Sequence, residues 1–427
     1  MTLPPFTLLE VHSNTTHLPK FTAAFAAAAL LSSLTACRRS DFPDVPSGYR
    51  EFAYVSNGGA NTVSVLDLVY LRPDRTLQVG ANPSGMAVNP VKNEVYVVNS
   101  GPQNGNGSIT IIDAGTNKVV YTIGLHRQPY FISVDPAGRR AYVANSASNN
   151  VSVIDLDLRR EIAVAGTGES PGLARIAPDM RSLIVTNRAS NSVSIFAVDP
   201  TPALDPNAPA KQQPQPLHFR ASFDHCPGAT DAVILPDSSK AFIACSGGHQ
   251  VMSINLAAAP DSWPAKQNPS LMNDSVLAFL DVGETPVHLA MKPDGGEIFS
   301  SNFASGSISE ISTYTNEVGG TYPIGNKPVH GLVTADNSAL WVSNFGADSL
   351  SLYSIDDGKL VSSLRTGSSP DFLAFSADEH LLLAADAHSG DVAVIRTLGK
   401  LGPNLFTILP AGASPNAIVV KAITAKN

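Results

Sequence analysis

Short runs of alternating apolar and polar residues recur along this chain. Residues 61–67 and 150–155 show the pattern clearly, with Val or Ile alternating with Ser, Thr or Asn. A period of two is typical of a β-strand whose side chains point alternately to opposite faces. Both runs end in Asp, whose carboxylate can accept hydrogen bonds from the backbone N–H groups of a following turn. The pattern therefore predicts many short strands joined by tight turns.

These strands belong to a repeat. An aromatic or aliphatic residue, usually followed by Val, a small residue and Asn, occurs eight times. The copies begin at Tyr54, Tyr96, Tyr142, Ile184, Phe242, Phe299, Trp341 and Leu383. Most units open with Gly-x-x-Pro and an apolar strand. Four strands of about six residues with four turns account for a unit of roughly 42 residues, so each unit predicts a four-stranded sheet.

The two ends of the repeat array complement each other. The first unit, from Glu51, lacks an opening strand, whereas Pro415–Val420 is an opening strand with no unit after it. Docking this strand into the first unit closes a ring and removes its exposed edges. We therefore expect an all-β fold, a β-propeller of eight four-stranded blades closed by the C-terminal strand. Seven blades is the alternative, if the degenerate unit around Ala384 is displaced.

The repeat resembles the YVTN β-propeller family, named for the tetrapeptide that this chain carries in eight variants between Glu51 and Ile423. The resemblance implies a propeller with ligands over the top of its central channel. Here "top" is the face made by the loops that enter each first strand and the loops that follow each YVTN-like strand. The fold does not fix the function, because propellers support unrelated activities.

The N-terminal segment predicts export. Lys20 precedes an apolar stretch from Phe21 that ends in Leu34-Thr35-Ala36-Cys37, as in a signal peptide. The apolar stretch is too short for a typical membrane span. This ending resembles the lipobox of bacterial lipoproteins, which implies a lipidated Cys37. An ordinary cut nearby, with a free thiol at Cys37, is the alternative. We expect a signal peptide at 1–36, the lipidated Cys37 and a linker at 37–50, and one propeller domain at 51–427.

Localisation follows from the same resemblance. Arg38, rather than Asp, follows Cys37, and by lipoprotein sorting rules this favours the outer membrane, facing either the periplasm or the cell surface. Two insertions, at 198–218 and 257–275, would project from the bottom face as loops without a fold of their own.

Composition narrows the partners. Charged residues make up 15% of the chain, the net charge is −8, and no basic run occurs, which argues against an extended nucleic-acid surface. After signal removal, Cys226 and Cys245 are the remaining cysteines besides Cys37. Because the repeat places them on neighbouring strands at the top of the fifth blade, we favour a disulfide over free or metal-binding thiols.

Several side chains are candidates for a site at the channel mouth. His288 and His330 occupy the same place in consecutive blades, and Asp231 has that place in the preceding blade. Two imidazoles and a carboxylate can bind a divalent metal or supply a haem ligand. We favour structural or general ligand contacts instead, because blades six and seven also share an Asn-Phe pair and thus look duplicated.

Further candidates lie on top loops. Phe303 and Phe345 are possible aromatic platforms for a sugar or peptide, and Arg188 a polar contact. No P-loop, dinucleotide fingerprint or Cys-x-x-Cys-His haem attachment occurs. We therefore expect a monomeric binding or scaffolding module, without a cofactor, that contacts an envelope protein, polysaccharide or peptidoglycan. The alternatives are a propeller enzyme (a redox protein with haem, quinone or metal, or a lactone hydrolase) and a nucleic-acid-binding propeller.

Overall fold

The computed structural model describes residues 45–199, 215–398 and 402–423. The predicted signal peptide, Cys37, most of the linker and most of the first insertion lie outside these ranges. Within them, none of the helices has the length and apolar character needed to cross a bilayer.

Eight antiparallel sheets of four strands each make up the fold, as predicted, and the seven-blade alternative is wrong. The strands are β1 (Arg50–Asn57), β2 (Thr62–Asp67), β3 (Arg72–Gln78), β4 (Pro83–Val88), β5 (Glu94–Asn99), β6 (Asn106–Asp113), β7 (Lys118–Arg127), β8 (Pro129–Val134), β9 (Arg140–Asn145), β10 (Asn150–Asp155), β11 (Arg160–Gly166), β12 (Pro171–Ile176), β13 (Ser182–Asn187), β14 (Ser192–Val198), β15 (Leu217–Phe223), β16 (Ala229–Ile234), β17 (Lys240–Cys245), β18 (Gln250–Asn255), β19 (Ser275–Asp281), β20 (Pro286–Met291), β21 (Glu297–Asn302), β22 (Ser307–Ser312), β23 (Glu317–Pro323), β24 (Pro328–Val333), β25 (Ala339–Asn344), β26 (Ser349–Ser354), β27 (Lys359–Arg365), β28 (Pro370–Phe375), β29 (Leu381–Asp386), β30 (Asp391–Arg396), β31 (Asn404–Pro410) and β32 (Pro415–Ile423).

Blade 1 is completed by β32, which pairs with β1 in antiparallel register, with Ala53 opposite Val420. Blades 2 to 8 each contain four consecutive strands, beginning with β4, β8, β12, β16, β20, β24 and β28. The closing strand therefore joins the two ends of the chain, as the incomplete first unit predicts. Glu51 adds a contact to blade 8, because its Oε1 accepts a hydrogen bond of 2.6 Å from the Ala377 N–H.

The first residue of each YVTN-like unit fills the core between blades. Tyr54, Tyr96, Tyr142 and Trp341 are at most 2% exposed. Each packs in an apolar cluster that draws on two neighbouring blades, such as Tyr142 with Ala174 and Leu183. Large apolar side chains are favoured at this position because burying them stabilises the contact between blades.

The Asn and Gly of the repeat fit together at the top of most blades. The Asn57 amide donates hydrogen bonds to the Thr62 and Ser64 hydroxyls, at 3.1 and 3.0 Å. A Cβ added to Gly412 would lie 2.7 Å from the Asn57 side chain. The motif therefore needs glycine there, because any larger residue would collide with the amide. In blade 5, Cys245 replaces the Asn and forms a disulfide with Cys226.

The second insertion is more ordered than the expected loop without a fold of its own. It contains a short helix, α1 (Trp263–Gln267), and a 3-10 turn at Pro269–Met272. Ser262 caps α1 by accepting a hydrogen bond from the Ala265 N–H, which is the usual role of Ser before a helix. The C-terminal end of the insertion is held by Asp274, which forms an ion pair of 2.5 Å with Arg220.

Candidate functional site at the channel mouth

The inner strand of each blade begins at the top and shows a register shift near its first residues. Because of this bulge, the residue two positions after the opening residue faces the corresponding residue of the next blade. We call these the mouth positions. In blades 1 to 8 they are Ala417, Gly85, Phe131, Leu173, Asp231, His288, His330 and Phe372.

The structure brings Asp231, His288 and His330 together, as expected from the sequence. His288 Nε2 lies 3.8 Å from Asp231 Oδ2, and the His288 and His330 ring centroids are 4.1 Å apart. Phe372 continues the row, with its ring centroid 4.2 Å from that of His330. These side chains form one stack around half of the mouth.

Two members of this stack hold neighbouring blades together. Asp231 Oδ2 accepts a hydrogen bond of 3.0 Å from the Leu289 N–H, and His288 Nδ1 accepts one of 3.2 Å from the Gly331 N–H. Each bond runs from one blade to the inner strand of the next. Buried N–H groups need such acceptors, so Asp231 and His288 have a structural role at this place.

His330 lacks the corresponding bond. Among the described residues its buried Nδ1 has no hydrogen-bond partner. Burial lowers the pKa of His330 well below the usual value, and burial together with the Arg175 guanidinium lowers the pKa of His288 to about 3. Both imidazoles are therefore neutral near pH 7.

The stack does not fit a metal centre. His288 Nδ1 and Asp231 Oδ2 already accept backbone hydrogen bonds, and the two imidazole rings pack against each other with an interplanar angle of 34°. In the part of the chain that the structure describes, no three His, Cys, Asp or Glu side chains are arranged to hold a metal ion. We therefore derive no redox step from these residues.

A pocket of about 340 Å³ opens on the other side of the mouth, over blades 2 to 4. It is lined by Asn82, Ser100, Gly101, Gln103, Gln128, Tyr130, Ser146 and Arg188. Arg188 is its only ionisable side chain apart from Tyr130, so the pocket offers a cation among hydroxyl and amide groups. Such a lining suits an oxygen-rich ligand that carries or develops negative charge.

Glycine makes the Arg188 position possible. The guanidinium carbon lies 4.7 Å from the Tyr130 ring centroid, within the range of a cation–π contact. A Cβ on Gly172 would come within 2.8 Å of Arg188 Nε. Arg188 was a candidate from the sequence, whereas Tyr130 and Gly172 were not recognised. Their position directly after the opening prolines, Pro129 and Pro171, could have pointed to them.

Asp371 was also missed. It directly follows Pro370 at the start of β28, on blade 8, which faces blade 4 across an eight-membered ring. Burial raises the pKa of Asp371 to about 6. The sequence could have pointed to Asp371, because none of the other blades has an acidic residue directly after its opening residue.

Phe303 and Phe345 lie on the top loops of blades 6 and 7, outside the Arg188 pocket. Lys327 Nζ lies 5.6 Å from the Phe303 ring centroid, and the Phe345 and His388 ring centroids are 5.4 Å apart. The expected aromatic platforms are therefore on the predicted face, and each is packed against a neighbouring side chain.

Comparison with known proteins finds propellers of similar fold. A family model described as "Lactonase, 7-bladed beta-propeller" matches residues 310–405, less than half of the chain. No protein with a curated function matches the sequence. The structure resembles the dihydro-heme d1 dehydrogenase NirN, with TM-score 0.66, 16% identity and coverage of 89% of this chain and 76% of that one.

Two further similar structures are lactonases by their descriptions. The periplasmic gluconolactonase of Pseudomonas aeruginosa has TM-score 0.55 and 17% identity, and the alignment covers 87% of this chain and 98% of that one. A Bacteroides fragilis protein provisionally assigned as a 6-phosphogluconolactonase has TM-score 0.58 and 14% identity, with 89% and 100% coverage. At these identities the structural likeness establishes the propeller fold.

The expected binding or scaffolding module is wrong as the leading interpretation. The family model that matches residues 310–405 is that of lactonases. This match favours the alternative, a propeller enzyme. The absence of P-loop, dinucleotide and haem-attachment motifs does not exclude an enzyme, because the ionisable groups of the mouth come from separate blades.

Proposed function

We propose that the protein hydrolyses lactones of sugar acids at the channel mouth on its top face. The observation that carries the proposal is the lactonase-family match at residues 310–405. That segment contains Asp371, a carboxyl group at the mouth whose pKa is about 6. A general base is most effective when its pKa is near the working pH.

The proposed reaction needs three things from the protein. The Asp371 carboxylate takes a proton from water as the water oxygen bonds to the lactone carbonyl carbon. Arg188, on the blade 4 side of the mouth, donates hydrogen bonds to other oxygen atoms of the substrate and so holds the lactone in place for the reaction. When the ring C–O bond breaks, Asp371 returns the proton to the leaving alkoxide, so the product is an open-chain hydroxy acid.

The rest of the mouth would bind the substrate. Ser100, Gln128 and Ser146 supply hydroxyl and amide groups next to Arg188, which suits the hydroxyls of a sugar ring. Val287 and Val329, directly after the opening residues of blades 6 and 7, provide an apolar side. A polar pocket with one cation fits a lactone better than a long apolar ester.

A pH-stat assay tests this function. We expect purified full-length protein to release acid from 1,5- and 1,4-aldonolactones at pH 6.5 much faster than buffer does. Rates equal to the buffer control across such a panel would overturn the proposal. Loss of the activity in an Arg188→Ala variant, with wild-type thermal stability, would assign it to this mouth rather than to a contaminant.

We also propose that the protein is exported and held to the envelope by lipid on Cys37. The support is the Leu34–Cys37 sequence together with the Cys226–Cys245 disulfide, since disulfides are characteristic of oxidising compartments. Cys37→Ser should move the protein from the membrane to the soluble fraction of the cell. Unchanged retention would contradict the anchor.

A further inference from the structure

We propose that the bottom face of the propeller lies against the surface of a lipid bilayer. Seven exposed large apolar side chains occur in bottom loops, and we call them the bottom apolar set. They are Tyr70, Val91, Leu158, Trp263, Met272, Tyr314 and Leu398. Their exposures run from 40% for Met272 to 89% for Tyr314.

The direction of the strands places this set on one face. Tyr70, Leu158, Tyr314 and Leu398 lie between the third and fourth strands of their blades, and Val91 lies between a first and a second strand. Both kinds of loop are at the bottom. Among the top loops and the inner-strand starts in the described ranges, Tyr130 is the one comparably exposed large apolar side chain, and it lines the Arg188 pocket.

The set is spread around the ring rather than gathered in one patch. Its members come from blades 1, 2, 3, 5, 6 and 8. A small protein partner would bury residues of one or two adjacent blades. A plane touches loop tips all round the ring, and a bilayer surface is such a plane. Trp and Tyr are the side chains that membrane interfaces favour.

The chain enters the propeller on the same side. The strand β1 runs from bottom to top, and Arg50 at its start donates a hydrogen bond of 2.9 Å to the Gly115 carbonyl of a bottom turn. About a dozen residues separate Arg50 from Cys37, a reach of at most roughly 40 Å. A lipid on Cys37 would therefore tether the propeller from its bottom side, within about this distance of the membrane.

Charge is not the main attraction in this interaction. Bottom loops carry both signs, and some charges are already paired, as Lys92 is with Asp157 at 2.5 Å. The proposal therefore predicts binding to zwitterionic lipid, with little effect of salt. This behaviour separates it from recognition of anionic head groups by a basic surface, which is strongly salt-dependent.

The two tryptophans provide a direct test. Trp263 is 73% exposed, whereas Trp341 is 2% exposed in the core. Full-length protein, both lipidated and as Cys37→Ser, is mixed with phosphatidylcholine vesicles whose acyl chains are brominated near the head group. We expect bromine to quench at least half of the Trp263 emission, and a Trp263→Phe variant to lose this quenching. Unquenched Trp263 in the lipidated protein would overturn the proposal.

Matched variants test the face as a whole. Tyr70→Ser/Tyr314→Ser/Leu398→Ser, which keeps Trp263 as the reporter, should weaken vesicle partitioning of the Cys37→Ser protein at least tenfold. Phe219→Ser/Leu277→Ser/Val361→Ser removes comparable exposed groups from outer strands and should leave partitioning unchanged. Equal effects of the two triples would contradict the proposal, as would wild-type protein that self-associates through this face but does not bind vesicles. Lactone hydrolysis by the bottom triple should stay at the wild-type rate, so the two proposals fail separately.

Discussion

The Arg188 guanidinium lies over the Tyr130 ring, with 4.7 Å between the guanidinium carbon and the ring centroid. The two residues come from blades 4 and 3, and Gly172 leaves the space between them. Stacking restricts the long Arg side chain before a ligand arrives, which lowers the entropy cost of binding. The contact thus presents a fixed cation at the mouth of a channel whose inner strands are otherwise mostly uncharged.

Replacing Arg188 should impair lactone hydrolysis. Arg188→Ala removes the only cation of the pocket, and we expect kcat/KM to fall about 10- to 100-fold, the usual effect of losing one charge-assisted hydrogen bond. Arg188→Lys should recover only part of the activity, because Lys keeps the charge but not the planar stacking. Steady-state kinetics measure both effects. The control is Arg139→Ala, which removes an exposed cation from the bottom face. Equal losses of kcat/KM in the two alanine variants would contradict a role of Arg188 in hydrolysis.

The pH dependence of hydrolysis should report Asp371. Because its pKa is about 6, the carboxylate form is depleted below that pH, and kcat/KM should fall tenfold per unit in more acidic buffer. Asp371→Asn should lower kcat at least 100-fold and remove this acidic limb. Asp356→Asn, a matched change in an exposed turn, should leave the profile intact. An unchanged acidic limb in Asp371→Asn would show that another group titrates.

Stability should change with pH because of Asp386, which stands in blade 8 where most blades have Asn. Asp386 is fully buried, and burial together with the nearby Asp391 carboxylate raises the pKa of Asp386 to about 7, despite a hydrogen bond from the Gly367 N–H. The protonated form of Asp386 stabilises the folded state. This stabilisation is fully present below about pH 4 and is lost as the pH rises to about 7. The wild type should therefore lose stability across this range.

Asp386→Asn restores the residue of the other blades and removes this dependence. We expect its free energy of unfolding, relative to wild type, to rise by on the order of 1–2 kcal/mol between pH 5 and pH 8. Denaturant titrations at several pH values measure the difference. Asp356→Asn again serves as the control. A constant difference between Asp386→Asn and wild type would show that Asp386 does not change protonation across this pH range.

Reduction of the Cys226–Cys245 disulfide should destabilise blade 5. The bond closes a chain separation of 19 residues, and loops of this length correspond to about 3 kcal/mol of stabilisation. A Cys226→Ala/Cys245→Ala variant should melt at a lower temperature and become insensitive to reductant, whereas Cys37→Ser should keep the wild-type response. Two free thiols in the native protein by thiol titration would refute the bond.

The fold was predictable because its information is local. Within each unit of about 42 residues, the alternation marks strands, the Asn fastens two of them, and the Gly makes room for that Asn. The pairing of Cys226 with Cys245 follows from the same register. Even the closure by β32 is visible from a first unit that lacks its opening strand.

The site was predictable only in part. The repeat correctly placed Asp231, His288 and His330 side by side, but their bonds to the Leu289 and Gly331 N–H groups depend on the bulge of the inner strands. The approach of Arg188 to Tyr130 depends on loops of two blades. No periodicity reports such contacts, so function inferred from contiguous motifs was misdirected toward a non-catalytic module.

The pairing of β32 with β1 has a consequence for the order of events during biogenesis. A hydrogen bond between their side chains, from Ser56 to Asn416, spans 360 positions. Because synthesis and transport proceed from the N-terminus, blade 1 waits with three strands until the other seven blades have emerged. Such distant pairing is slow to form. On the proposed export route the chain would therefore cross the membrane as an open array, and its ring would close only after the last strand has arrived.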